Sequence, residues 1–362
     1  MTPFHAGPDG PSSVTAPYTM PPLVWGQANL SAAAGTPQPW LWQGYLAPGA
    51  VTLLTGQWKA GKTTLAAVLL ARLKAGGELA GLPLAAGGAV VVSEEAPGHW
   101  ARRGKHLDFG DHVGWFCQPF PGRPSPDEWG AFVGGIARLR DQREFALVVI
   151  DPLAAFFPSR AENNAGCMYE ALAPLRQLTR RGLSALVLHH PGKGDPPIGQ
   201  LARGSGALSA YADVLLEMRF YPRAADDDRR RWLQAQSRFP ETPLQKVIEL
   251  SADGTDYVSR GTFHEEEFTA RWEVLRPMLA EATWKYTRRE VRRRWPGEDR
   301  PDMVSVGRWL ERAVEMGLLR KDGMGKRNRP YGYWLPEREE AWRQDPIAAA
   351  LMPELFRPAD PS

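Results

Sequence analysis

The run Gly56-Gln57-Trp58-Lys59-Ala60-Gly61-Lys62-Thr63-Thr64 sets two glycines, a lysine and a hydroxyl at the spacing of a phosphate-binding loop. Glycines let the backbone turn tightly, so that successive N–H groups and the N-terminus of the next helix face a phosphate. In that arrangement Lys62 neutralises β- and γ-phosphate charge, and Thr63 holds magnesium. The flanks suit the loop, because Ala50 to Leu54 reads as a buried strand and Leu65 to Lys74 as a helix. ATP with Mg2+ is the expected ligand.

A carboxylate should stand opposite Thr63, and the apolar run Phe145-Ala-Leu-Val-Val-Ile ends in one, Asp151. At the C-terminal edge of a parallel sheet such an Asp reaches the magnesium shell through water. Its alternative use is to cap the following helix. Pro152 comes next, so the base that orients the attacking water must lie elsewhere. The strand Ala89 to Val92 leads into Ser93-Glu94-Glu95 and is expected beside the phosphate-loop strand, with its carboxylates at the same edge. Strand alternation turns only one of Glu94 and Glu95 toward the nucleotide. His189 and His190 end the strand Ala185 to Leu188, where a hydrogen-bonding side chain senses the γ-phosphate. A metal site on these histidines lacks a third ligand at suitable spacing. Lys193 and Arg203, in the Gly- and Pro-rich stretch Pro191 to Gly206, are candidate DNA contacts.

Near-continuous Val and Ile strands separated by helical spacing imply a sheet covered on both faces, hence a doubly wound, mainly parallel α/β domain. Val214 to Phe220, Trp232 to Gln236 and Lys246 to Leu250 extend that sheet, the last two as antiparallel edge strands. Beyond Phe263 the pattern turns helical: Glu266 to Leu279, Thr287 to Arg294, and Met303 to Met316 with apolar Val304, Leu310, Val314 and Leu318. A basic hairpin follows around Asp322-Gly323-Met324-Gly325, completing the pattern of a winged helix-turn-helix. The boundaries read as a disordered tail over 1–36, an ATPase domain over 37–264, the winged helix over 265–337 and a C-terminal tail over 338–362.

Charge distinguishes the two folded parts. The net charge is +3, yet Lys285 to Tyr333 holds 14 Lys and Arg against 7 Asp and Glu, so the remainder is mildly acidic. That excess points to nucleic acid, with Arg308 and Arg312 on the recognition helix and Lys326 and Arg327 on the wing as its contacts. A protein-docking module is the alternative for such a fold. The 14 tryptophans include Trp232, Trp284 and Trp295, expected as core anchors. Two cysteines, Cys117 and Cys167, give neither a disulfide framework nor a zinc site. With no signal-like start and no long apolar run, a cytoplasmic location is expected.

Taken together, the phosphate loop, Ser93 to Pro97, Val148 to Pro152, His189-His190 and Ala202-Arg-Gly-Ser-Gly-Ala207 resemble the RepA-type branch of RecA-like ATPases. The resemblance covers roughly Pro39 to Val258. It implies a RecA-like core, a homo-hexameric ring and ATP-driven movement on single-stranded DNA, with duplex DNA left to the winged helix. It points to Glu95 rather than Glu94 as the base, and to Asn163 or Asn164 near the active site. It also places a trans-acting arginine finger at Arg238, with Arg203 as second choice. A DNA-binding regulator switched by nucleotide is the competing function. A small-molecule kinase fits less well, because no acceptor lid is visible.

Overall fold

Successive residues of the central strands divide between two apolar layers. Val90, Val148, Ile150, Ala185 and Val187 enter one, while Val91, Leu147, Val149, Leu186 and Leu188 enter the other. This is why the strands read as unbroken apolar runs. The computed structural model describes residues 27, 38–156, 165–190, 210–222, 227–298 and 300–344. The chain from Trp40 onward forms one unit.

In chain order the core runs β1 (Val51–Gly56), α1 (Lys62–Arg72), the hairpin β2 (Gly77–Leu79) and β3 (Leu82–Leu84), β4 (Ala89–Ser93) and α2 (Pro97–Arg103). It continues with β5 (Val113–Cys117), α3 (Pro126–Leu139), β6 (Leu147–Asp151), α4 (Ala165–Leu172), α5 (Arg176–Thr179), β7 (Ser184–His189) and β8 (Val214–Phe220). β9 (Arg230–Ser237), β10 (Gln245–Leu250) and β11 (Tyr257–Ser259) close it. The sheet order is β11-β10-β9-β8-β1-β7-β6-β4-β5. Strands β8 to β5 in that order are parallel, and β9 to β11 are antiparallel. Helices α1 and α2 cover one face, and α3 to α5 the other. The α/β class with a mainly parallel sheet is thus the one expected.

One expected neighbour is wrong. β4 does not lie beside β1; β7 and β6 fill the two places between them. The crossover through α1 spans those places, and later strands occupy them. Register nonetheless keeps the carboxylate edge intact, because Ser93 pairs with Asp151 and Thr55 with His189.

The C-terminal part comprises α6 (Phe263–Ala280), β12 (Tyr286–Thr287), α7 (Arg288–Arg294), α8 (Met303–Glu315), β13 (Arg320–Asp322), β14 (Gly332–Trp334) and α9 (Arg338–Gln344). Its strands order β12-β14-β13. Thr262 and Glu265 form a capping box, which starts α6 three residues before the expected Glu266. Val306, Trp309, Leu310 and Ala313 give α8 its buried stripe, and Val304 falls outside it at 79% exposed. Trp232 and Trp295 are buried as expected, but Trp284 is partly exposed, lying against Trp342.

Two residues of β9 join the two parts, and the residue between them ties the strand to the phosphate loop. Arg230 pairs with Glu266 at 2.8 Å, and the Trp232 ring stacks on Phe263 at 4.6 Å, both on α6. Arg231, pointing to the other face of the sheet, donates through Nε to the Ala60 carbonyl at 2.8 Å.

Candidate nucleotide site

The glycines of the loop have separate reasons. A Cβ at Gly56 would run into the Met218 carbonyl oxygen of β8, and Gly61 has φ +100, a conformation that favours glycine. Gly61 also occupies the N-cap of α1, and no side chain caps that end. The first amides of an eleven-residue helix are therefore available to an anion.

Lys62 is 3% exposed and donates through Nζ to the carbonyls of Gly56 at 2.7 Å and Gln57 at 2.9 Å. Burial pulls its ammonium down to about 8, against the opposing influence of Asp151. Thr63 Oγ1 donates to Asp151 Oδ2 at 2.8 Å. Asp151, 5% exposed, is raised to about 6 by burial, with the Thr63 hydrogen bond acting the other way. A hydroxyl and a carboxylate facing each other are hard oxygen donors of the kind that suits magnesium, which keeps much of its water and takes one or two carboxylates.

At the same edge, His189 Nδ1 lies 3.4 Å from Thr55 Oγ1, and burial holds its imidazole down to about 4. His190 is shifted down by burial and by Lys62. Among the described residues no group of three His, Cys, Asp or Glu gathers to hold a metal. Glu95 is gripped by both guanidinium nitrogens of Arg103, one at 3.0 Å, and that hydrogen bonding holds its carboxyl below the usual range. Glu94 is raised by partial burial and by Glu95. Trp58 stands 74% exposed, with Lys59 Nζ 4.3 Å from its ring centre.

The structure therefore brings together Gly56 to Thr64, Asp151, His189, His190 and the Glu94-Glu95 pair. Arg238 lies apart, at the opposite edge. Its guanidinium pairs with Asp213 at 3.0 Å and donates to the Ala210 carbonyl, while Asp213 also accepts from the Val51 amide at the start of β1. Asn163, Asn164, Lys193 and Arg203 lie outside the described residues. Arg103 and Arg231 escaped sequence reasoning, since Arg231 lies 171 residues from its partner and no local pattern marks it.

The family model described as AAA domain matches residues 17–196. The match takes in the phosphate loop, both glutamates, Asp151 and the paired histidines, and ends before β8. The matched span and the phosphate-site geometry coincide at the loop, Asp151 and the histidines. Comparison with curated proteins found no match. Among solved structures the crystal structure of the RadB recombinase is similar with a TM-score of 0.42 and 17% identity, over 59% of this chain and 91% of that one. That likeness is too loose to support a statement about activity.

Of the four basic residues expected to meet DNA on the C-terminal part, two are paired with carboxylates. Arg308 pairs with Glu267 at 3.0 Å and Arg312 with Glu315 at 3.3 Å. Glu311 takes Arg288, Lys321 and the Tyr333 hydroxyl. Lys326 and Arg327 are exposed. Among the described residues no helix is long and apolar enough to cross a membrane.

Proposed function

We propose that this protein hydrolyses ATP to drive a DNA-associated motor, a RecA-like homo-hexamer of the RepA helicase type. The observation that carries the hydrolytic part is the 2.8 Å contact of Thr63 with Asp151 beside buried Lys62. In this reading the loop amides and Lys62 hold the β- and γ-phosphates, and Thr63 and Asp151 hold Mg2+, which supplies charge neutralisation when bound. Glu95 orients the attacking water and takes its proton as the bond between the γ-phosphorus and the bridging oxygen breaks. Arg103 positions Glu95 and must share it during turnover. His189 and His190 sense the γ-phosphate. Arg238, remote from its own loop, serves a neighbouring subunit.

The C-terminal order of helix, strand, two helices and a two-stranded hairpin supports a winged helix. That module and the local positive charge support DNA as the partner, single-stranded through the ring and duplex on the module. A second reading, a DNA-binding regulator with slow turnover, is favoured by the Glu95–Arg103 pair, which restrains the base. The deciding test is steady-state hydrolysis by wild type and Lys62→Ala, each without DNA, with single-stranded DNA and with duplex, alongside native mass in ATP. Many-fold stimulation by single-stranded DNA together with a ring supports the motor. Turnover indifferent to DNA in a small species would overturn it in favour of the regulator.

A further inference from the structure

Lys285, Arg288, Arg308, Arg312, Arg320 and Lys321 of the C-terminal part have carboxylate partners, and a group of arginines outside that set sits together. Arg289, Arg292 and Arg293 occupy positions i, i+3 and i+4 of α7, one face of that helix. With Arg300 and Met303 they line an open concavity of about 380 Å³. Among the described residues no carboxylate pairs with Arg289, Arg293 or Arg300. Arg292 donates from Nε to the Pro301 carbonyl at 2.9 Å, which fixes its guanidinium and leaves its outer nitrogens for a ligand. Nearby acids are committed: Glu290 accepts from the Thr287 amide and hydroxyl, and Asp302 accepts from the Val304 and Ser305 amides. Glu298 is exposed on the loop between the helices.

We infer that this four-arginine concavity is the phosphate anchor of the C-terminal part, and that it holds the backbone of duplex DNA. The inference rests on the reading that this part meets DNA. It moves the contact from the middle of α8 to α7 and the loop before α8. A guanidinium already bonded to a carboxylate must break that bond to take a phosphate, so Arg308 and Arg312 are poorer anchors than the unpaired group. Asp302 occupies the first amides of α8, so the guanidinium groups and not the helix end provide the positive site. Exposed Met303 and Val304 lie next to the cluster, placed for apolar contact with a groove.

The test uses the full chain and a labelled mixed-sequence duplex, with affinity measured across a salt series. The variants are Arg289→Gln, Arg293→Gln and Arg300→Gln combined, the same three changed to Lys, and Arg308→Gln with Arg312→Gln. The Gln triple is expected to weaken binding roughly tenfold or more and to flatten the salt slope by about three, one per phosphate contact. The Lys triple, with charge retained and bidentate geometry lost, is expected to keep the slope, and it serves as the folded reference. The α8 pair is expected to change affinity less than about threefold. An unchanged slope in the Gln triple overturns the inference, as does a loss confined to the α8 pair. So does a Gln triple that keeps duplex affinity but no longer binds anionic phospholipid vesicles. If wild type binds no duplex, the DNA reading itself has failed.

Discussion

The nucleotide edge of the sheet and the arginine face of α7 both gather charge, but they do so in opposite ways. At the edge Lys62 and Asp151 are buried within a few percent of complete, and the Asp151 charge supports the Lys62 ammonium against the pull of burial. On α7 the guanidinium groups are exposed and, for the most part, unpaired. Buried charges must be fixed by partners within the chain, because desolvation is costly without them. Exposed charges remain free to meet an outside anion, at the cost of weaker and salt-screened interaction. Catalytic chemistry therefore sits where geometry is rigid, and recognition of a polyanion sits where water is displaced only on binding.

The sharpest way to break this contrast is Lys62→Ala, expected to lower ATP turnover at least ~100-fold with the melting temperature little changed. A mutant that retains turnover would show that the buried edge is not the reacting centre. Asp151→Asn should cost turnover on a similar scale while nucleotide binding persists, as followed by a fluorescent nucleotide analogue. The structural independence of the second region is tested by Leu310→Ala. Truncating this fully buried side chain should destabilise the C-terminal part by about 2–5 kcal/mol. DNA-free ATP hydrolysis should persist at temperatures where that part is already unfolding, and joint loss of both would deny the separation.

Arg231→Gln should raise the KM for ATP several-fold with a smaller change in kcat, because Arg231 braces the loop at Ala60 without touching phosphate. An unchanged KM would remove β9 from the nucleotide edge. The smallest effect belongs to Glu311. Partial burial pushes its carboxyl up, but hydrogen bonds from Lys321, Tyr333 and Arg288 outweigh this and hold it at about 2. A depressed folded value means that its contribution is present above about 4.5, its unfolded value, and fades as pH falls toward 2. Glu311→Gln should therefore lower stability at pH 7 by roughly 1 kcal/mol, and the gap from wild type should close in thermal melts run at decreasing pH.

Much of the nucleotide edge was legible because phosphate chemistry demands particular residues at fixed spacing. Gly56, Gly61, Lys62, Thr63 and Asp151 could be read in order along the chain, and Val214 to Phe220 was placed to the residue. What escaped was decided by contacts across the chain. The α1 crossover spans two strand positions, so sequence order misplaced β4. β12 is only two residues long, too short to show a period. Arg103 lies eight residues past Glu95, beyond a turn, and charge counting could not tell that Arg308 and Arg312 had acids of their own. Pairing is a property of the folded surface, whereas charge excess is a property of the sequence, and only the former separates occupied arginines from open ones.

The grip of β9 on two bodies has a mechanical consequence. Arg230 and Trp232 hold α6 while Arg231, between them, holds the phosphate loop. A strand locked by hydrogen bonds on both sides hardly stretches, so its two faces cannot be displaced independently over three residues. Loop and helix are thus clamped to one short, stiff beam, and a displacement of either is borne by the other before softer connections yield.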